Sequence, residues 1–251
     1  MKVAMLAAGV GMRLDPDGEW PPKALLRFAG RSLLQRHLEI LGHFGLRDVT
    51  LAVGYRADEI ERELTRLGAE RVQTRFNPDY LTSSLLSLWA LRDVFAAGEP
   101  VLYMDADVLY DWRLLARLLE APDQDCLLID REAGDAEEAV KVCLRADRVV
   151  DFHKRIRAAS CDHVAEWVGF ARFGVDSAKR LAGAIQSYID SGRTEVIYEE
   201  PIRDVMLAGG GRFGTVDSRG LPWIEIDFPE DLDHARNEVH PRLIGLPGTT
   251  S

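Results

Sequence analysis

The sequence predicts an α/β protein of three layers, α/β/α, in which a mixed, mostly parallel central sheet lies between two layers of helices. Two observations predict this fold class. Through about the first 120 residues, short apolar runs alternate with amphipathic segments, which is typical of parallel strands covered by helices on both faces. Beyond that point, strand-like segments follow one another without long helices between them, so we expect the rest of the sheet to be mixed.

The first half of the chain is expected to contain four buried strands and four helices. Short apolar runs predict strands over Met1–Ala8, Val49–Val53, Val72–Phe76 and Pro100–Met104. Apolar residues at helical spacing predict helices over Ser32–Phe44, Ala57–Leu67, Ser83–Phe95 and Trp112–Leu119. A loop rich in glycine and proline, from Gly9 to Pro22, follows the first strand.

The second half is expected to be richer in strands than in helices. Strands are predicted over Cys126–Asp130, Val140–Arg145, Val149–Lys154, Trp167–Phe173, Arg212–Val216 and Trp223–Ile226. Helices are predicted over Ser177–Ser191, Tyr198–Leu207 and Pro229–Val239. No low-complexity linker divides the chain, so we expect a single domain over residues 1–244 and a disordered tail over residues 245–251.

The net charge, the cysteine spacing and the N-terminal run limit the partners and the location that we expect. The 251 residues carry a formal net charge of -10, whereas a nucleic-acid partner demands a basic face. Cys126, Cys143 and Cys161 are widely spaced and form no C-x-x-C pair, so we expect reduced thiols, as in a cytoplasmic protein. The N-terminal apolar run is short and contains Gly9, so neither a signal peptide nor membrane insertion is expected.

A glycine-rich motif follows the first predicted strand. The run L-A-A-G-V-G-M-R extends from Leu6 to Arg13, and P-K-A-L begins at Pro22. Glycines after a strand let backbone N–H groups approach phosphate closely, and an arginine supplies a cation that binds phosphate oxygens in a bidentate manner. Taken alone, Lys23 would be interpreted as a solvated lysine, but beside this loop it is expected to bind phosphate.

Acidic residues follow two other predicted strands. Asp105 and Asp107 come at the carboxyl end of the strand that ends at Met104, which is the edge where open α/β sheets bind ligands. Carboxylates at that edge suit Mg²⁺. We expect Asp107 to bind the metal, whereas Asp105 also fits a structural role. Asp227, before Pro229 and Glu230, fits a helix N-cap, and it fits a second metal ligand as well.

These motifs together resemble the sugar-phosphate and phosphocholine nucleotidyltransferases. The closer resemblance is to the small cytidylyltransferase branch that acts on choline phosphate, aminoethylphosphonate and inositol phosphate. Segments similar to that branch run from Met1 to about Val239, including F-N-P-D-Y from Phe76, D-R from Asp130, E-A-V-K-V from Glu138, E-W-V-G from Glu166 and L-P-W-I-E-I-D from Leu221. One segment departs from it, because Thr82-Ser83-Ser84 stands where choline-phosphate members often carry asparagines.

The resemblance implies a Rossmann-like nucleotidyltransferase fold, with a nucleotide-binding half over residues 1–120 and an acceptor-binding half over residues 121–244. It implies that Asp107 and Asp227 hold Mg²⁺ and that Gly9, Gly11, Arg13 and Lys23 bind the triphosphate. The candidate catalytic residues are Arg13 and Lys23, which would stabilise charge on the leaving pyrophosphate, and Lys141, which would hold the acceptor phosphate. The residues expected to bind the nucleotide are Leu6, Ala8, Gly9, Gly11, Arg13, Lys23, Ser83, Ser84 and Asp105. Those expected to bind the acceptor are Lys141, Glu166, Trp167, Tyr198 and Trp223.

The implied reaction joins a nucleoside monophosphate from an NTP, with CTP favoured, to a small phosphorylated or phosphonate acceptor and releases pyrophosphate. Glu166 and Glu199, with the aromatic residues Tyr80, Trp112, Trp167, Tyr198 and Trp223, favour a cationic head group such as choline on the acceptor. Three alternatives stay open: a sugar-1-phosphate nucleotidyltransferase that uses UTP, GTP or dTTP, a metal-dependent glycosyltransferase, and a non-catalytic nucleotide sensor. The oligomeric state is also open, with a homodimer as one option.

Overall fold

The computed structural model describes residues 1–15, 17–132, 139–156, 161–208 and 213–247. Its strands are β1 (Lys2–Ala7), β2 (Arg27–Phe28), β3 (Arg31–Ser32), β4 (Val49–Val53), β5 (Gln73–Phe76), β6 (Val101–Asp105), β7 (Val108–Tyr110), β8 (Cys126–Asp130), β9 (Lys141–Arg145), β10 (Arg148–His153), β11 (His163–Phe173), β12 (Gly214–Asp217) and β13 (Trp223–Glu225). Its α-helices are α1 (Leu33–His43), α2 (Ala57–Arg66), α3 (Ser84–Ala90), α4 (Arg92–Ala96), α5 (Trp112–Glu120), α6 (Val175–Asp190), α7 (Glu199–Ala208) and α8 (Pro229–His234).

The central sheet is mixed, as predicted. Within the described ranges it has nine strands in the order β10-β9-β11-β6-β1-β4-β5, with β8 paired to β11 and β12 paired to β8. The pairs β6-β1, β1-β4 and β4-β5 are parallel, whereas β11 runs antiparallel to β6, β8 and β9. These three parallel pairs come from the first half of the chain, where the helices alternate with the strands, and in the second half β12 is parallel to β8.

Helices cover both faces of this sheet, which confirms the three-layer arrangement. Successive residues of a strand point to opposite faces, and on β1 Ala4 packs in one apolar cluster while Val3 and Met5 pack in the other. The first cluster draws its helical residues from α3, α4, α6 and α7, and the second draws them from α1, α2 and α5. The core is therefore two apolar layers, one on each side of the sheet.

Several elements differ from their predicted bounds. The helix expected over Ser83–Phe95 is two helices, α3 and α4, because Leu91 leaves helical geometry with φ -99° and ψ 5°. Strand β11 begins at His163 rather than Trp167, since its first residues pair with β9. The last helix is α8 followed by a π-helical turn over Ala235–Val239.

The expectation of three reduced cysteines is wrong for two of them. Cys143 and Cys161 form a disulfide, and Cys126 is a buried free thiol. The pairing arises because β9 and β11 are neighbours: Val164 lies opposite Cys143, and Cys161 precedes it by three residues. Since disulfides persist mainly in oxidising compartments, the cytoplasmic location stays a prediction.

Three expectations concern residues at the margins of the described ranges. Glu138, Arg212 and tail residues 248–251 lie outside them, so the E-A-V-K-V segment, the predicted strand from Arg212 and the tail are described only in part. Among the helices that are described, none combines the length and the apolar character needed to cross a membrane. The division into two halves within one domain stays a prediction, although one sheet contains strands from both.

Candidate active site

Two chain segments more than 100 residues apart meet at the carboxyl end of the parallel strands. Strand β6 ends at Asp105, and after a two-residue turn β7 pairs with β13, which places Val108 opposite Glu225. The backbone N–H of Ile226 donates to the carbonyl of Asp107, at 3.2 Å. The strand-end acids of the two segments are therefore brought together, as their positions in the sequence predicted.

Lys23 lies at the centre of these acids. Its Nζ is 3.0 Å from Oδ2 of Asp107 and 2.6 Å from Oδ1 of Asp227. Burial lowers the pKa of Lys23, but the two carboxylates outweigh burial and hold the pKa of the ammonium above its ordinary value. The lysine reaches this position along Gly11, where a Cβ atom would lie 3.2 Å from the Cε of Lys23.

Arg13 joins the same group from the glycine-rich loop. Its Nη2 is 3.1 Å from Oδ2 of Asp227, and its guanidinium lies 5.1 Å from the ring centroid of Phe228. Burial raises the pKa of Asp227, but the neighbouring Lys23, followed by Arg13, brings it below its ordinary value. The loop motif and the late E-I-D motif are therefore in direct contact, and both cations face the acids.

A third carboxylate completes the acidic group. Asp107, Glu225 and Asp227 each offer a carboxylate oxygen, and these oxygens lie within 4.8 Å of one another. Burial, followed by the charges of Asp107 and Asp227, raises the pKa of Glu225 well above its ordinary value. Three oxygen ligands on one centre suit a hard divalent cation such as Mg²⁺, so the residues fit a metal. Sequence reasoning missed Glu225, which sits in a short apolar strand.

The carboxylate of Asp105 binds two tyrosines rather than joining this acidic group. Its Oδ1 accepts a hydrogen bond from the hydroxyl of Tyr103 at 2.7 Å, and its Oδ2 accepts one from the hydroxyl of Tyr198 at 2.8 Å. Burial and then the charge of Asp107 raise the pKa of Asp105 well above its ordinary value. This geometry matches the structural role that the sequence left open for Asp105.

The residues expected at the nucleotide are divided between the loop and the start of α3. Leu6 and Ala8 end β1 and open the loop, where Gly9 is exposed and Gly11 has φ +70°. Ser83 and Ser84 instead hold the segment before α7. The hydroxyl of Ser83 donates to the carbonyl of Thr194 at 2.5 Å, and that of Ser84 accepts from the backbone N–H of Tyr198 at 3.0 Å.

Lys141 and Glu166 are cross-strand neighbours. Glu166 on β11 lies opposite Lys141 on β9 and opposite Asp130 on β8. Burial, followed by the charge of Asp130, raises the pKa of Glu166 to about 7, against the opposing effect of Lys141. Trp223 joins them, since its Nε1 donates to Oδ2 of Asp130 at 2.7 Å. These four residues form one polar group at the expected acceptor side.

The remaining aromatic residues do not form a single pocket. Trp167 is 2% exposed, its Nε1 donates to the carbonyl of Phe170 at 2.9 Å, and its ring stacks on Tyr103 at 5.7 Å. It therefore packs in the core behind Tyr198. Trp112 packs against Phe44 on the other face of the sheet.

Glu199 follows Tyr198 at the start of α7. Its carboxylate is buried, and burial raises the pKa of Glu199 to about 7, while the charge of Lys154 opposes the increase. Lys154 also lowers the pKa of Asp227, behind the larger effects of Lys23 and Arg13. Burial, followed by the charge of Asp105, raises the pKa of Tyr198 well above its ordinary value, and the charges of Glu199 and Glu225 add to the increase. Glu199 is thus a buried carboxylate at the first residue of α7.

The fold and the site together are those of an α/β nucleotide-binding transferase. Residues 3–170 match the family model of the MobA-like NTP transferase domain, and the chain belongs to that family. The resemblance that the motifs predicted is therefore confirmed.

Two related proteins have names that belong to the same class of transferases and synthases. The chain is 29% identical over 238 residues to the bifunctional IPC transferase and DIPP synthase of Rubrobacter xylanophilus, across 91% of this chain and 50% of that protein. It is 27% identical over 250 residues to the CMP-5'-(3-aminopropyl)phosphonate synthase of Streptomyces rubellomurinus, across 96% of this chain and 39% of that protein. The chain thus spans half or less of the length of these two relatives.

Solved structures share the fold. The inositol-1-phosphate CTP transferase from T. maritima superposes with a TM-score of 0.76 and 22% identity, over 96% of this chain and 95% of that one. The CTP:phosphocholine cytidylyltransferase from Streptococcus pneumoniae superposes with a TM-score of 0.73 and 19% identity, over 94% of this chain and 97% of that one. The Rossmann-like α/β fold is therefore common to all three.

Proposed function

We propose that this chain is a Mg²⁺-dependent cytidylyltransferase that transfers CMP from CTP to a small phosphorylated or phosphonate acceptor carrying an amine, and releases pyrophosphate. The observation that carries the proposal is the meeting of Lys23 with the carboxylates of Asp107, Glu225 and Asp227 beside the glycine-rich loop. This arrangement pairs a phosphate-binding loop and its cations with a metal-binding group, which are the parts that phosphoryl transfer needs.

The residues on the nucleotide side would together neutralise the negative charge of the triphosphate. The backbone N–H groups around Gly9 and Gly11 would point at phosphate oxygens, and Arg13 and Lys23 would neutralise the charge that builds up on the leaving pyrophosphate. Asp107, Glu225 and Asp227 would hold Mg²⁺. When bound there, Mg²⁺ would supply charge neutralisation at the phosphates.

The attacking group needs little help from the protein. A phosphate monoester has a second pKa of about 6, so it is largely dianionic at neutral pH and attacks the α-phosphorus without a general base. The chain would contribute position and charge instead. Lys141, which faces Glu166 across β9 and β11, is the residue we assign to the acceptor phosphate.

The amine on the acceptor is inferred from the acids at that side. Glu166 and Glu199 are partly or fully buried carboxylates, and a buried anion is best stabilised by a cation. Trp223 and Tyr198 lie beside them and add aromatic surface that suits an ammonium group. The relative named for a CMP-linked phosphonate and the structural neighbour named as an inositol-1-phosphate CTP transferase support CTP as the donor.

Pyrophosphate release across a grid of substrates tests the proposal. CTP, UTP, GTP, ATP and dTTP would each be combined with phosphocholine, phosphoethanolamine, 2-aminoethylphosphonate, inositol phosphate and sugar-1-phosphates, in the presence of Mg²⁺. Turnover with CTP and an amine-bearing acceptor is the expected result. Turnover with a sugar-1-phosphate and another nucleotide would overturn the acceptor and the base, and would favour the sugar-phosphate alternative.

Two variants distinguish an enzyme from a nucleotide sensor. Asp107→Ala removes one of the three carboxylates and is expected to abolish turnover while the fold survives. Asp58→Asn, at an exposed ion pair with Arg62 on α2, is the matched control and should leave turnover unchanged. Nucleotide binding by the wild type without pyrophosphate from any pair would support the sensor.

A further inference from the structure

Asp105 is tied to the second half of the chain through Tyr198. Asp105 is 6% exposed, and its two carboxylate oxygens accept hydrogen bonds from Tyr103 and Tyr198. Among the described residues, the group of carboxylates that could share a metal contains Asp107 and leaves out Asp105. The two acids of the D-A-D motif therefore have different surroundings although one residue separates them.

Tyr198 belongs to a segment that is held at three points. Its hydroxyl reaches Asp105 on β6, its backbone N–H reaches Ser84, and the carbonyl of Thr194 is reached by Ser83. All three partners belong to the first half of the chain. The segment over 194–198 leads directly into α7, whose first residue is Glu199.

The strand behind Asp105 makes room for this arrangement. Gly169 on β11 has φ +88°, and a Cβ atom there would lie 2.8 Å from Oδ2 of Asp105. That oxygen is the one that accepts from Tyr198. A side chain at position 169 would therefore press on the oxygen that holds the tyrosine.

We propose that Asp105 is a positioning residue, which fixes the hydroxyl of Tyr198 and thereby sets Tyr198 and Glu199 at the acceptor side of the site. It does so without binding the metal or the nucleotide. This proposal rests on the function proposed above and extends it, because it divides the D-A-D motif between the two substrates. Asp107 serves the nucleotide side and Asp105 serves the acceptor side.

The test compares Michaelis constants for the two substrates. Tyr198→Phe removes the hydroxyl that donates to Asp105, and we expect the KM for the acceptor to rise about tenfold, as for the loss of one hydrogen bond. The KM for CTP should stay within about twofold. Asp105→Asn should have the same selective effect, and the double variant should be little worse than either single variant, because both remove one interaction.

A matched control exists elsewhere in the chain. The hydroxyl of Tyr188 on α6 donates to Oδ2 of Asp204 on α7 at 2.8 Å, so Tyr188→Phe also removes a tyrosine–aspartate hydrogen bond. It should lower the melting temperature without changing either KM. An equal rise in the acceptor KM for Tyr188→Phe, an unchanged acceptor KM for Tyr198→Phe, or a rise in the KM for CTP would each overturn the proposal.

Hydrogen exchange keeps the two proposals separable. Tyr198→Phe should raise the exchange of backbone amides over residues 194–199 while that of β6 and β7 stays low. If the wild type turns over no substrate pair, the proposed function fails, and this measurement still decides whether Asp105 holds the segment. Unchanged exchange over 194–199 would overturn the positioning role in either case.

Discussion

Replacing Gly169 by alanine should destabilise the protein by about 2–5 kcal/mol. The residue has φ +88°, a backbone region in which an L side chain costs about 1–2 kcal/mol. The new Cβ would lie 2.8 Å from Oδ2 and 3.2 Å from Cβ of Asp105, and 3.4 Å from Cγ2 of Val108. Overpacking of a buried site typically costs a further 1–3 kcal/mol.

Thermal unfolding followed by circular dichroism measures this cost. For a chain of this size, about 1 kcal/mol corresponds to roughly 2–4 °C, so the midpoint should fall by about 4–20 °C. Gly183→Ala is the matched control, because Gly183 lies in α6 and has nothing within 4 Å of the added Cβ. It should raise the stability by about 0.5–1 kcal/mol, since alanine favours the helix.

The stabilities of the Gly169→Ala and Gly183→Ala variants together test whether strain and crowding at Gly169 are real. Both substitutions add the same methyl group, so a difference between them comes from the local geometry. If Gly169→Ala unfolded at the wild-type temperature or above it, neither the strain at φ +88° nor the contact with Asp105 would be real. If it unfolded early but left the acceptor KM unchanged, the stability argument would hold and the positioning of Tyr198 would not depend on this contact.

Three further predictions concern the metal, pH and the disulfide. Lys23→Met should tighten the binding of Mn²⁺ in the absence of nucleotide on the order of tenfold, because the ammonium competes for the oxygens of Asp107 and Asp227. Calorimetry that showed weaker binding of Mn²⁺ to the variant would contradict this competition. The affinity for phosphocholine should rise as pH increases through about 7, where Glu199 loses its proton. The Glu199→Gln variant should lack that component of the pH profile. Identical profiles for the two proteins would show that the Glu199 carboxylate does not bind the acceptor. Reduction of Cys143–Cys161, which are 18 residues apart, should cost about 3 kcal/mol of stability, seen as a lower melting temperature in reductant that a Cys143→Ala, Cys161→Ala variant does not share.

The strands and helices that the sequence predicted are those with a strong local signal. Strand β4 is buried at all five positions and apolar at four of them, and α5 has its buried apolar residues on one side, so both lie where the pattern placed them. The break between α3 and α4 has no such signal, because neither glycine nor proline occurs between Ser84 and Phe95. The short hairpin of β2 and β3 was not predicted for a similar reason, since two-residue strands are too short to show an alternating pattern.

The candidate site was predictable where its residues end strands. Asp107 could be placed at the ligand-binding edge because it follows β6, and the carboxyl ends of parallel strands carry ligands. Asp227 follows the short strand β13, which pairs with β7 outside the central sheet, and the metal role of both residues stays a prediction. Glu225 could not be placed, since its burial beside two other acids depends on the pairing of β7 with β13. The disulfide depends in the same way on the pairing of β9 with β11, which spacing along the chain does not reveal.

The site is assembled from both halves of the chain. Lys23 comes from the first half and contacts Asp227 from the second, and Tyr198 from the second half binds Asp105 from the first. A fragment that ends near residue 120 would keep Lys23 and Asp107 but would lose Glu225 and Asp227, so two of the three carboxylates would be missing. The proposed metal-binding group therefore needs residues from both halves of the chain, because the first half supplies only one of its three carboxylates.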